Sequence, residues 1–298
     1  MCQLPKPVPS NLPKTQMKWR TLTLFAFVGS LSLMLPGATP EIGVSSFGTS
    51  VEQSLIQLLA KQVREKAQVI TVKVLSGEVL GSGFLIQQQD SVYTVVTNAH
   101  VLRAGSAPYQ IQTFDGQIYA AEVDKTDDLQ GNDLALLQFR SVNPVYAVAT
   151  LGTLPTLGNE VYVAGFPVDE MSNSPASTLK NGEMKFTFGK VSMLLEKALE
   201  GGYQIGYTND IEKGMSGGPL LNIRGEVVGV NGMHAYPLWD APSVFQNGSS
   251  VEGSLQEKIN SLSWAIPIAK VLQSGRLESR LYKLSPPART DEKGMLLR

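Results

Sequence analysis

From residue 69 onward, apolar and polar residues alternate in short runs rich in Val, Ile, Tyr, Phe and Thr. These are "VITVKVL", "GSGFLIQ", "VYTVVTN", "YQIQTF", "QIYAAEVDK", "DLALLQF", "EVYVAGFP", "MKFTFGKVSML", "YQIGYT", "GPLLN", "GEVVGVNG" and "LSWAIP". Gly, Asn, Asp and Pro separate them and no helical stretch intervenes regularly, so the pattern predicts about twelve strands of an all-β barrel or sandwich. The stretch "PVYAVATLGTLPTLGN", residues 144–159, is the least regular and forms the natural seam between two six-strand halves, about 67–150 and 151–272. Ahead of the strands, "VEQSLIQLLAKQVREK" repeats Val51, Leu55, Leu58, Leu59 and Val63 at three-to-four spacing, which predicts an amphipathic helix within a helical segment 41–66. A short helix is expected from Pro267, followed by a polar tail over 273–298.

Segment 1–40 has a different pattern. A basic region gives way to an apolar stretch, Thr21–Leu35, that breaks at Pro36 and Gly37. This is the layout of a signal peptide, and it falls short of the ~20 residues that span a bilayer comfortably. Segment 1–40 therefore reads as a signal peptide or an uncleaved membrane anchor, and the chain as exported to a bacterial-type periplasm, lumen or exterior. Contact with a membrane is expected only through that segment. Cys2, the only cysteine, lies ahead of the apolar stretch, so cleavage would leave no disulfide. With 298 residues and 43% hydrophobic content the remainder can bury a sizeable core. The 25 basic and 26 acidic side chains leave a net charge of −1, with no basic run of the kind that binds nucleic acid. Nothing in the pattern sets an oligomeric state.

The hexapeptide "GMSGGP", residues 214–219, crowds glycines and a proline round Ser216. An ordinary turn accounts for such a cluster, as does a nucleophile. A serine hydroxyl attacks at neutral pH only with a base in reach and donors for the oxyanion it creates. Two histidines occur, His100 and His234, each where an apolar run opens into a loop. Asp133 stands at the head of the apolar run "DLALLQF", where it would be desolvated unless a donor such as an imidazolium meets it. "GMSGG" also fits the nucleophile elbow of esterases, but that fold needs an acid and then a histidine after the serine. Only His234 follows, too soon to leave room for the intervening strand and acid. Two histidines so widely separated along the chain form no metal-ligand motif, and no cofactor is expected.

The order His100, Asp133, Ser216 is one of the three known orders of a hydrolase triad. The segments "GSGFLI", "VVTNAHVL", "DLALLQF", "VAGFP", "GMSGGPLLN", "GEVVGVNG" and "SWAIP" together resemble the landmarks of trypsin-like serine peptidases. They are most similar to the HtrA/DegP-like and cyanobacterial single-domain branch, over about residues 67–272. The resemblance implies a chymotrypsin fold: a double six-stranded antiparallel β-barrel with an N-terminal helix and a short C-terminal helix and tail. It implies a serine endopeptidase acting on protein or peptide substrates through an acyl-enzyme. Ser216 would be the nucleophile, His100 the base and Asp133 the residue that orients it, with the backbone N–H groups of Gly214 and Ser216 as oxyanion hole.

For specificity, the resemblance leaves two readings of Asp210: the floor of the primary pocket, selecting Arg or Lys, or a loop aspartate facing solvent beside a small apolar pocket. Val230, Asn231 and Gly232 of "GVNG" would form the edge strand that pairs with the substrate backbone. The long stretch 234–260 would bring Tyr236, Trp239 and Phe245 over the pocket. No "IVGG"-like activation sequence precedes the barrels, and no PDZ domain is expected after residue 272. A catalytically silent binding protein or scaffold on the same fold is the alternative.

Overall fold

Period-two alternation puts one face of a strand inward, and in a closed barrel that inward face fills the interior with side chains. The computed structural model describes residues 45–77, 79–124, 129, 131–168, 183–237 and 242–273, and in it all twelve runs form strands. The first barrel is built from β1 (Thr71–Ser76), β2 (Val79–Gln89), β3 (Val92–Thr97), β4 (Tyr109–Gln112), β5 (Ile118–Val123) and β6 (Ala135–Arg140). It closes in the order β1-β2-β3-β6-β5-β4. The second uses β7 (Glu160–Gly165), β8 (Lys185–Leu194), β9 (Ile205–Tyr207), β10 (Pro219–Asn222), β11 (Val227–Met233) and β12 (Ser263–Pro267). It closes as β10-β11-β12-β9-β8-β7, and neighbouring strands in both barrels run antiparallel. The chymotrypsin-type double barrel is thus the observed fold.

Val74, Leu85, Val95, Ile111 and Leu137 fill the first interior, and Val161, Val163, Ile205, Leu220 and Val228 the second. A third cluster draws on both barrels: Phe84, Val96, Leu134 and Leu136 from the first, with Tyr162, Tyr203, Val230 and Trp264 from the second. Burying the outward face of several strands in this way explains why much of β2 and β3 is buried on both faces, while β1 buries Leu75 against Leu80 and Phe166.

Helices depart from the sequence pattern in three places. α1 spans Ser45–Ile70, so Val69 and Ile70 are helical and β1 starts at Thr71. Val63, Ala67 and Ile70 share one buried face at helical spacing, and Thr71 Oγ1 donates to the Ala67 carbonyl at 2.6 Å, which makes Thr71 the join between helix and strand. A one-and-a-half-turn helix, α2 (Ala99–Ala104), follows β3 where an open loop was expected. Within 234–260 the chain forms α3 (Gly253–Asn260), anchored by buried Ile259, whose carbonyl accepts the Trp264 Nε1 hydrogen at 2.9 Å. The short terminal helix α4 is Ile268–Leu272. No helix among the described residues is long and apolar enough to cross a membrane. Segment 1–40, the tail beyond Gln273 and Trp239 lie outside the described residues.

Candidate active site

Strand register brings the first two candidate residues together. β3 and β6 are antiparallel neighbours with Thr97 opposite Ala135, so the residues just after β3 and just before β6 meet at one end of the barrel. His100 lies in the first turn of α2 and Asp133 just ahead of β6. His100 Nδ1 stands 2.6 Å from Asp133 Oδ2, and the His100 backbone N–H donates to Oδ1 at 2.8 Å. Tyr203 Oη donates to Oδ2 at 2.6 Å and Arg103 Nη2 to Oδ1 at 3.2 Å. The Asp133 backbone is pinned as well: Asn98 Nδ2 donates to its carbonyl and its N–H to the Gly201 carbonyl, each at 2.8 Å. Burial pushes the Asp133 carboxyl up, but the hydrogen bonds and charge of His100, with the Tyr203 hydroxyl, outweigh it and hold the pKa below the ordinary carboxylate value.

Ser216 sits in a turn whose backbone is fastened to the first barrel. Gly214 (φ +93°) and Gly217 (φ +88°) occupy the left-handed region that side chains disfavour. A Cβ on Gly214 would meet the Phe166 carbonyl oxygen at 2.5 Å, and one on Gly217 would clash with the Ser82 carbonyl oxygen and Thr97 Oγ1. Ser82 is the fastening point. Its Oγ donates to the Gly214 carbonyl at 2.8 Å and accepts from the Phe166 N–H at 2.8 Å, while its N–H donates to the Ser216 carbonyl at 2.8 Å. The N–H groups of Met215, Gly217 and Gly218 are taken by Glu212, Asn231 and Met215 carbonyls. Those of Gly214 and Ser216 donate to no acceptor among the described residues, which leaves two N–H donors in one turn unengaged there.

The Ser216 hydroxyl donates to the Gly232 carbonyl at a long 3.3 Å, and no hydrogen bond joins it to His100 among the described residues. The two halves of the site share walls. Gly217 packs on Thr97, at the end of β3, and a Cβ on Gly232 would lie 2.5 Å from Tyr203 Oη and 3.0 Å from Asn98 Nδ2.

Of the two readings of Asp210 the structure matches the solvent-facing one, while Val230 and Asn231 depart from the edge strand expected of them. Asp210 is not a pocket floor: its side chain is 83% exposed and pairs with Lys185 Nζ at 2.9 Å, with Glu212 on the same ammonium at 2.5 Å. An exposed carboxylate already holding a cation keeps its hydration at lower cost than a buried one. Val230 and Asn231 are not on a free edge either, because β11 is flanked by β10, with Pro219 opposite Val230, and by β12, with Ala265 opposite Asn231. Both are fully buried, and Asn231 turns its amide inward, donating to the Met215 carbonyl at 2.8 Å and accepting from Tyr207 Oη. Gly232 falls at a shift in the β11–β12 register and is the part of "GVNG" left outside the paired ladder. Tyr236 is an exposed surface residue, and Phe245 packs into the shared cluster opposite Leu199.

Ser82, Tyr203 and Tyr207 carry much of this geometry and were not singled out from the sequence. For Ser82 a signal existed in "GSG", a serine between glycines in a strand buried on both faces. For Tyr203, distant from Asp133 in sequence and in the other barrel, linear spacing held none.

The model of the family described as "Trypsin-like peptidase domain" matches residues 81–230. A Synechocystis sp. protein, the putative serine protease HhoA, is 33% identical over 159 residues, covering 51% of this chain and 36% of that one. The serine protease Do-like HtrA of Bacillus subtilis is 31% identical over 155 residues, covering 51% and 33%. The match thus spans about a third of the length of these curated relatives. Among solved structures, the crystal structure of the serine endoprotease from Yersinia pestis is similar with a TM-score of 0.52 and 21% identity, covering 75% of this chain and 66% of that one, a likeness of fold.

Proposed function

Because this chain belongs to the family of trypsin-like peptidase domains, we propose that it is an exported serine endopeptidase of HtrA type, with His100, Asp133 and Ser216 as its catalytic triad. The observation that carries the reading is the His100–Asp133 pair: a buried, ionised carboxylate bonded to Nδ1 leaves Nε2 as the imidazole's basic nitrogen. In the reaction, Ser216 Oγ leaves the Gly232 carbonyl, turns to His100 and passes its proton to Nε2 as Oγ bonds to the scissile carbonyl carbon. The N–H groups of Gly214 and Ser216 receive the oxyanion. The tetrahedral intermediate collapses as His100 protonates the departing amine, leaving an acyl group on Ser216. Water, deprotonated by His100, then attacks the acyl carbon and Ser216 leaves with the proton restored.

The substrate is an extended protein or peptide segment, lying beside Gly232, where the β11–β12 ladder is interrupted. With Asp210 turned to solvent and engaged by Lys185, nothing charged is assigned to the primary pocket, and small apolar side chains before the cut bond are preferred. Export rests on the apolar stretch Thr21–Leu35 behind a basic region.

A second reading is favoured by one observation: the Ser216 hydroxyl bonds to Gly232 instead of His100, as it would in a silent scaffold. Digestion of an unfolded protein such as reduced casein separates the two. The peptidase reading expects cleavage by the wild type that disappears in Ser216→Ala and withstands chelators; intact casein under wild type favours the scaffold.

A further inference from the structure

We propose that Tyr203 is a positioning residue of the triad, its hydroxyl reaching from the second barrel to fix the Asp133 oxygen that holds His100. The proposal rests on the serine-peptidase reading above. Asp133 Oδ2 accepts from Tyr203 Oη and faces His100 Nδ1, both at 2.6 Å, while Oδ1 takes the His100 N–H and Arg103. A carboxylate offers about four lone-pair sites, so these four donors occupy them all and the carboxyl plane has no other setting.

The four are unequal. Arg103 is 69% exposed and bonds at 3.2 Å, so water screens and competes with it. Tyr203 is buried, and its loop is built round it. Its carbonyl accepts the Leu199 N–H at 2.9 Å; a Cβ on Gly201 would lie 3.0 Å from its ring and one on Gly232 2.5 Å from its hydroxyl. Glycine at both places is what lets the phenol in.

Direction follows from chemistry. Burial first, and then the Asp133 charge, push the Tyr203 phenol well above its ordinary pKa, so it stays protonated and donates. A phenol hydrogen bond draws charge from Oδ2, which favours the carboxylate over the acid and moderates its pull on the imidazole. Without it, Oδ2 pulls harder on the imidazole and the carboxyl is free to rotate from His100.

The test compares wild type and Tyr203→Phe, which keeps the ring. Steady-state kinetics on a chromogenic peptide are measured across the acid range, with fluorophosphonate labelling of Ser216 alongside. We expect kcat to fall ~10–100-fold with KM little changed, and the acid limb of kcat/KM to move up by ~1 pH unit, as expected for loss of one hydrogen bond to a charged group. Tyr93→Phe, which removes a buried hydroxyl bonded to the Tyr146 N–H, should lower the melting temperature and leave the limb in place. Incorporating 3-fluorotyrosine at position 203, a stronger donor of nearly the same shape, should move the limb down and keeps the test available if Tyr203→Phe does not fold. An acid limb that stays put in both Tyr203 variants, with or without a fall in kcat, reduces Tyr203 to packing and overturns the proposal. A wild type that does not label at Ser216 overturns the triad reading and this proposal with it.

Discussion

Two donors of one residue, Nδ1 and the backbone N–H of His100, close on the two oxygens of Asp133 at 2.6 and 2.8 Å. The imidazole is therefore fixed in position by its own backbone as well as by its ring. Asp133→Asn keeps one acceptor but turns an NH2 group toward Nδ1 or the backbone N–H, which selects the wrong tautomer or breaks a bond. We expect kcat to drop by ~10⁴ with the fold retained. Steady-state kinetics and circular dichroism check this; a loss under tenfold would argue that another acid orients His100.

The same pair makes stability depend on pH. The folded pKa of Asp133 is depressed, so its contribution is present above the unfolded carboxylate pKa and lost as pH falls through the folded value. Urea unfolding of wild type and Asp133→Asn should differ most near neutrality, and the difference should shrink in acid. A difference that grows in acid would contradict the sign.

Much of this was readable from one dimension. Twelve strands announced themselves by period-two runs, because each has a face turned into a barrel, and Thr97 and Ala135 in register explain why "TNAH" and "NDLAL" meet. The α1–β1 boundary was not readable, since Val69 and Ile70 suit either element and only burial of the Val63–Ala67–Ile70 face decides. Nor was the placing of Asp210 or Asn231. Whether a carboxylate lines a pocket or pairs with Lys185, and whether a strand has one neighbour or two, depends on residues far away in sequence.

Ser82 ties the serine turn to the first barrel through two bonds and accepts a third from the Phe166 N–H. Ser82→Ala would leave the buried Gly214 carbonyl and Phe166 N–H without their hydroxyl partner. We expect a loss of about 2–4 kcal/mol in urea unfolding, together with reduced kcat as Gly214 shifts. Unchanged stability would show that the turn is held elsewhere.

Asp210→Ser should leave the cleavage profile of a peptide library unchanged, with apolar residues before the cut bond. Stability should change by less than about 0.5–1 kcal/mol, since the lost pair is exposed and Lys185 retains Glu212. A wild-type preference for Arg or Lys that vanishes in Asp210→Ser would return this residue to the primary pocket.

Gly214→Ala places a methyl group against the Phe166 carbonyl in a backbone region that alanine disfavours, a strain of about 1–3 kcal/mol. Relief by rotating the peptide would aim the oxyanion donor away, and kcat should fall by ~10²–10³ while KM changes little. Kinetics at saturating substrate check it; a variant as active as wild type would exclude the Gly214 N–H from the reaction.

The central claim, that Ser216 is a nucleophile driven by His100, is tested most directly by fluorophosphonate labelling of the folded protein followed by peptide mass spectrometry. The account predicts one adduct per chain, on Ser216, absent from Ser216→Ala and formed far more slowly in His100→Ala. An adduct on another residue, labelling that survives Ser216→Ala, or a folded wild type that takes up no probe would contradict it.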